Sequence, residues 1–130
     1  MAIVPATLGK LQTRALAQSA TITAASNQTA IDLQLFDGQI IVILNASAAG
    51  SGATVSLRLE DSADNSSFAA VTGGGFTAVA NAVSRQVIAT LQAGDLRRYL
   101  RLSCTAVTGS ASSVVSCNLI GSLQYEGGTL

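Results

Sequence analysis

Apolar residues return at every second position in several short runs of this chain, and polar or glycine-rich segments end each run after a few residues. Ile31, Leu33 and Leu35 alternate with Asp32 and Gln34, and Val55, Leu57 and Leu59 alternate with Thr54, Ser56, Arg58 and Glu60. Period two is the spacing of a strand with one buried face, because successive side chains of extended backbone point to opposite sides. Residues 40–44 are apolar without a break, which suits a central strand covered on both faces. Shorter runs predict strands over residues 68–71, 76–79, 87–91, 98–107 and 114–123, and no convincing helix follows residue 20. About eight strands joined by Gly, Ser and Asn loops predict an all-β chain. The expected architecture is an antiparallel β-sandwich, jelly-roll-like, in preference to a barrel of long strands.

Two turns set the expected pairing. Asp37-Gly38 suits a two-residue type I′ hairpin, in which both central positions want positive φ. That turn would set Leu35 against Ile40, Leu33 against Val42 and Ile31 against Leu44. Gly109-Ser110-Ala111-Ser112 lies between residues 98–107 and 114–123. Folding those two runs onto each other sets Leu102 against Leu119 and Cys104 against Cys117, with Cα atoms about 4.5–5.5 Å apart. A buried, reduced thiol pair is the favoured reading over a disulfide or a reactive thiol, since no activating base accompanies either cysteine. Residues 61–67 read as a polar turn and Gly73-Gly74-Gly75 as a mobile one.

At 130 residues the chain is most simply one domain, assigned to residues 19–130, preceded by an N-terminal arm over residues 1–18. Leu8, Leu11 and Leu16 with Lys10 and Arg14 predict either a short amphipathic helix, which Pro5 and Gly9 weaken, or an extended arm that docks on a neighbour. Leu8, Leu11 and Arg14 are therefore candidate partner-binding residues.

The chain has no His and only 11% charged residues. Histidine is the side chain best suited to proton transfer near neutrality and the commonest metal ligand, so an enzyme is the least expected class. Seven basic and seven acidic residues cancel, which removes the electrostatic case for nucleic acid and points to another protein as partner. No apolar run is long enough to span a bilayer, and the start of the chain makes a poor signal peptide, so synthesis in the cytoplasm is expected. No cofactor or metal is expected. Gly73-Gly74-Gly75 runs into Phe76-Thr77-Ala78 and lacks the Lys-Ser/Thr of a phosphate cradle. Glu60, Asp61 and Asp64 read as a solvated turn in preference to a calcium site. Arg97, Arg98 and Arg101 with Tyr99 are the one basic cluster. Tyr99 and Arg101, on the face opposite Leu100 and Leu102, fit a partner interface and an ordinary salt-bridged surface equally well.

The stretch from Leu57 to Val71, Leu-Arg-Leu-Glu-Asp-Ser-Ala-Asp-Asn-Ser-Ser-Phe-Ala-Ala-Val, resembles a pattern of small virion proteins of tailed bacteriophages. Leu96-Arg97-Arg98-Tyr99-Leu100-Arg101 is similar to a strand of that group, as are Leu119-Ile120-Gly121 and Leu8-Gly9-Lys10. The resemblance implies a capsid cement or decoration protein with a jelly-roll-like sandwich. Such a protein would assemble as a homodimer or homotrimer, sit on the outer surface of the phage head and clamp neighbouring major capsid subunits. The alternatives are a tail or head–tail connector component and a carbohydrate-binding or adhesin module. Three Phe, two Tyr and no Trp are few aromatics for the last of these.

Overall fold

The computed structural model describes residues 11–124. Nine strands follow one another: β1 (Leu11–Ile22), β2 (Ser26–Asn27), β3 (Ile31–Asp32), β4 (Phe36–Ala46), β5 (Thr54–Ser62), β6 (Ala69–Gly75), β7 (Ser84–Gln92), β8 (Tyr99–Thr108) and β9 (Ser113–Leu123). One sheet has the order β1-β9-β4-β7; the other has the order β2-β8-β5-β6, with β3 also on the β8 edge. β2 and β3 are two short pieces along β8 and count as one interrupted strand, so eight strands form two four-stranded layers. The sandwich expected from the sequence is present.

Its topology is that of a jelly roll. β5 pairs with β6, β4 with β7, β2 and β3 with β8, and β1 with β9, every pair antiparallel. The chain is thus one long hairpin with its tip between β5 and β6, rolled so that its four ribbon segments alternate between two layers. The inner rows of the two layers meet. Ile40, Val42 and Leu44 of β4 and Val115, Cys117 and Leu119 of β9 are fully buried against Val55, Leu57 and Leu59 of β5 and Leu100 and Leu102 of β8. Each such aliphatic side chain contributes about 1.5–3 kcal/mol by leaving water.

The bounds of β5, β8 and β9 match the expected runs closely, but several expected connections do not exist. Asp37-Gly38 makes no hairpin. The chain reverses earlier, where the Phe36 amide donates to the Leu33 carbonyl at 2.9 Å, and Asp37 and Gly38 lie inside β4. Between the pairs Asp37↔Ser122 and Ile40↔Gly121 the ladder with β9 bulges, and Gly38 takes φ +73° there. Positive φ serves a bulge as well as a turn. Likewise β8 and β9 are not a hairpin: the link 109–112 crosses from one sheet to the other. Cys104 stands across from Leu57 and Ser26, and Cys117 across from Leu44 and Ala17, so the thiols are not cross-strand neighbours. Both are free and buried. Gly73-Gly74-Gly75 is no mobile turn but the end of β6, with Gly74 buried, and the strand expected over 76–79 reduces to a bridge between Val79 and Val55.

The expected boundary after residue 18 falls inside β1. Residues 11–18, read as arm or helix, are the first part of an edge strand on β9, while residues 1–10 lie outside the described residues. Two register shifts, between Ala15 and Ala17 and between Ala17 and Ala20, break the alternation that would have marked a strand. Deleting residues 1–18 therefore removes most of β1, and circular dichroism melting should show loss of cooperative folding.

Gly121 of β9 shows why its neighbours leave no room for a side chain. A Cβ there would lie 2.6 Å from Phe36 Cδ1 and 2.9 Å from its Cε1, because the buried Phe36 ring packs directly against the glycine. Gly121→Ala should lower stability by about 1–3 kcal/mol through forced repacking, measured as a shifted denaturation midpoint with unchanged slope.

Candidate interaction surface

Every second residue of the β1-β9-β4-β7 sheet points away from the core, and register places those residues in rows. Thr13, Ile120 and Ile41 form one row; Ala15, Asn118, Ile43 and Val87 form the next. Leu11, Ser122 and Asp37 lie at one end, and Ser116, Asn45 and Arg85 at the other. Isoleucine and valine occupy the outer positions because β-branched side chains pack well on a pleated surface, here with no second layer over them. Among the described residues the four exposed large apolar side chains all belong to this sheet or its rim: Leu11 (45%), Val87 (55%), Val114 (44%) and Val83 (82%). Shallow depressions of about 430 and 330 Å³ sit at its two ends, the first around Leu11, Ile41 and Ile120, the second around Val83 and Val114. The outward rows carry two charges, Asp37 and Arg85, at opposite ends.

The outer face of the other sheet is built on opposite lines. Arg58 and Arg101 grip Glu60 from either side, with Nη2 to carboxylate oxygen distances of 2.7 Å each. The Arg101 guanidinium also lies 3.8 Å above the Phe68 ring. Arg98 pairs with Asp32 at 2.9 Å and stacks over Tyr99 at 5.1 Å. On the inner side of β5, at the end of its apolar row and opposite Leu100, the Asp61 carboxylate accepts from Arg97 Nε and from the Arg97 backbone amide at 2.9 and 3.0 Å. Burial of Glu60 disfavours its charge, yet the hydrogen bonds from Arg58 and Arg101 outweigh that and hold its carboxyl below the ordinary range. Asp32 is lowered chiefly by Arg98. In the turn at the hairpin tip, Asp64 Oδ1 accepts from the Ser67 and Ser66 amides and the Ser62 hydroxyl, and is drawn down to about 2. The acidic residues singled out as Glu60, Asp61 and Asp64 thus hold arginines and a turn in place.

The candidate residues fall in separate places. Leu11 lies on the apolar face. Arg14, on the same strand, covers the Phe36 ring at 5.5 Å and donates to Gln12 and to the Thr13 carbonyl. Tyr99 and Arg101 lie on the opposite sheet, engaged with Arg98 and Glu60 as described, and Leu8 is outside the described residues. The five do not form one patch. Ile41, Ile43, Ile120 and Val87 were not singled out, although a signal existed. The unbroken apolar run 40–44 requires cover on both faces, and the chain's own second sheet covers one. The buried thiols offer no chemistry: desolvation pushes Cys117 up to about 12 and Cys104 upward as well.

A Bbp16 family model matches residues 14–115. Among curated proteins none matches the chain. Among solved structures, the fold is similar to a chain in the structure of infectious bursal disease virus Gx strain, with a TM-score of 0.57 and 11% identity. The match covers 93% of this chain and 33% of that one, so this chain spans about a third of its length. It is also similar to the SPBc2 prophage-derived protein YomS, with a TM-score of 0.51 and 14% identity over 85% of this chain and 92% of that one. At these identities the likeness is one of fold.

The Glu60 cluster has a pH signature. Its folded pKa lies below its ordinary value of 4.5, so the folded state binds fewer protons than the unfolded state in that range. The stabilisation is complete above about pH 4.5 and is lost as pH falls through the lowered value. Glu60→Gln should cost roughly 1.5–3 kcal/mol at pH 7, the range for hydrogen bonds to charged groups, and flatten the acid limb of a stability-against-pH curve from urea titrations.

Proposed function

The chain belongs to the Bbp16 family, and from that premise we propose that it is a non-enzymatic structural protein of a virion. In the finer form of the reading it is a cement protein on the outer surface of a phage head, stabilising contacts between major capsid subunits. The observation that carries this is the asymmetry of the sandwich. One sheet turns an apolar, nearly uncharged face outward, and the other keeps its arginines neutralised by its own carboxylates. Such a body suits contact with protein on one side and water on the other. A jelly roll similar in fold to chains from a virus and a prophage fits the same reading. Small contacts of this kind gain strength by repetition over a symmetric shell.

A carbohydrate module is less well supported. Sugar sites need open aromatic faces, but Phe68 lies under Arg101, Tyr99 under Arg98, and Phe36 is buried. Mixing the purified protein with empty heads and sedimenting on a gradient tests the proposal. Co-sedimentation, with head disruption moved to higher temperature, is the expected result. Protein left at the top of the gradient overturns it, and self-assembly into rings or tubes replaces it with a tail or connector role.

A further inference from the structure

We propose that the depression at the seam between β6 and β7 receives a lysine side chain of the protein this chain docks on, its stem on apolar residues and its ammonium beside Asp95. The proposal rests on the virion reading for the identity of that protein, a capsid subunit, and on the geometry of the seam for the chemistry.

β6 and β7 are the last strands of their sheets on this side, and both depart from regular pairing here. Between the pairs Arg58↔Gly75 and Glu60↔Ala70, residues 71–74 of β6 stand across from Leu59 alone. Gly74 permits that detour, because a Cβ there would lie 2.9 Å from Val71 Cβ and 3.0 Å from Leu59 Cβ. β7 shifts register too, between the pairs Ile40↔Leu91 and Val42↔Ile88. Bulges of this kind re-aim side chains and gather beside functional sites. The space they leave is a depression of about 460 Å³, within the range of about 300–1,000 Å³ for ligand pockets.

The lining is amphipathic, and among the described residues it holds no cation. Val71, Leu91 and Leu96 give it an apolar side backed by the core. Thr72, Thr90 and Gln92 add hydroxyl and amide oxygens. Two carboxylates border the depression. Asp61 is buried and neutralised by Arg97 at 2.9 Å. Asp95, at the end of the exposed 3-10 turn Ala93–Asp95, has no ion-pair partner among the described residues. One uncompensated negative charge beside apolar surface is the complement of lysine, which lays an aliphatic stem on such surface and keeps its charged head wet. An ammonium donates in three directions and suits separate acceptors on Asp95, Thr90 and Gln92. A guanidinium grips both oxygens of one carboxylate in a plane, and Arg97 already holds both oxygens of Asp61. Location names the source of the lysine. β7 also borders the apolar outer face, so a protein seated on that face has the depression at its margin, where interfaces place their polar contacts.

NMR titration of the full chain with Nα-acetyl-lysine methylamide reads the site directly. Amide shifts should concentrate on residues 70–72, 90–92 and 95–96, with a dissociation constant on the order of a millimolar for one side chain. The norleucine analogue, which keeps the stem and drops the charge, should bind about threefold to fivefold more weakly. Asp95→Asn, an exposed change, should weaken the lysine probe by a similar factor and leave the melting curve intact. Acetylating the surface lysines of heads removes their charge. It should weaken binding of the wild type by about threefold or more and leave that of Asp95→Asn nearly unchanged. The proposal is overturned by no shift with the lysine probe, by equal binding of the norleucine analogue, or by tighter binding of the arginine analogue or of free spermidine. An acetylation effect that Asp95→Asn does not remove overturns it as well. A chain that binds heads but not the lysine probe would overturn this site and leave the virion reading standing; one that binds the probe and ignores heads would do the reverse.

Discussion

Burial of two facing rows of aliphatic side chains is the constraint from which the rest of this molecule follows. Val42 and Leu119 in one layer and Leu59 and Leu102 in the other are fully buried only because the layers stack. Neither sheet could hide its own row alone. Once stacked, the alternation of extended backbone forces the intervening residues outward. Their chemistry then becomes the chemistry of the surface.

The two layers use that freedom differently. On the layer that contains β5 and β8, outward positions carry arginines and carboxylates that satisfy one another, so the face is polar yet electrically quiet. On the layer that contains β4 and β9 the outward positions are isoleucine, valine, asparagine and small residues, with Asp37 and Arg85 at opposite ends.

Much of the fold was legible because alternation reports burial directly. The strands around Leu57, Leu102 and Leu119 were visible within a residue or two. Strand partnership was less visible, because alternation says that a side chain is covered and not by what. The Gly109 to Ser112 link joins runs that mirror each other, and a hairpin and a crossing between layers produce the same mirrored pattern. Asp37-Gly38 misled for a related reason, since positive φ is wanted at a bulge as well as at a turn. β1 was hidden by two register shifts, the first of which puts Ala15 and Ala17 on opposite faces although they are two residues apart. The outer apolar face was half legible: residues 40–44 announced a strand needing cover on both sides, but Ile120 and Val87 joined it only through cross-strand register, which sequence spacing does not show.

The place of β9 within its layer has a consequence for how the chain is made. It is the last strand among the described residues, yet it lies between β1 and β4 and holds them together. While the chain leaves the ribosome, β1 and β4 have no common neighbour, and the outer face consists of β4 and β7 alone. The layer can close only when residues 113–123 have emerged, so this half of the sandwich forms after the strands it joins are already made. The tip hairpin of β5 and β6 and its β8 neighbour are complete earlier. Closure of the apolar-faced layer thus waits on β9, whereas every strand of the polar-faced layer lies earlier in the chain.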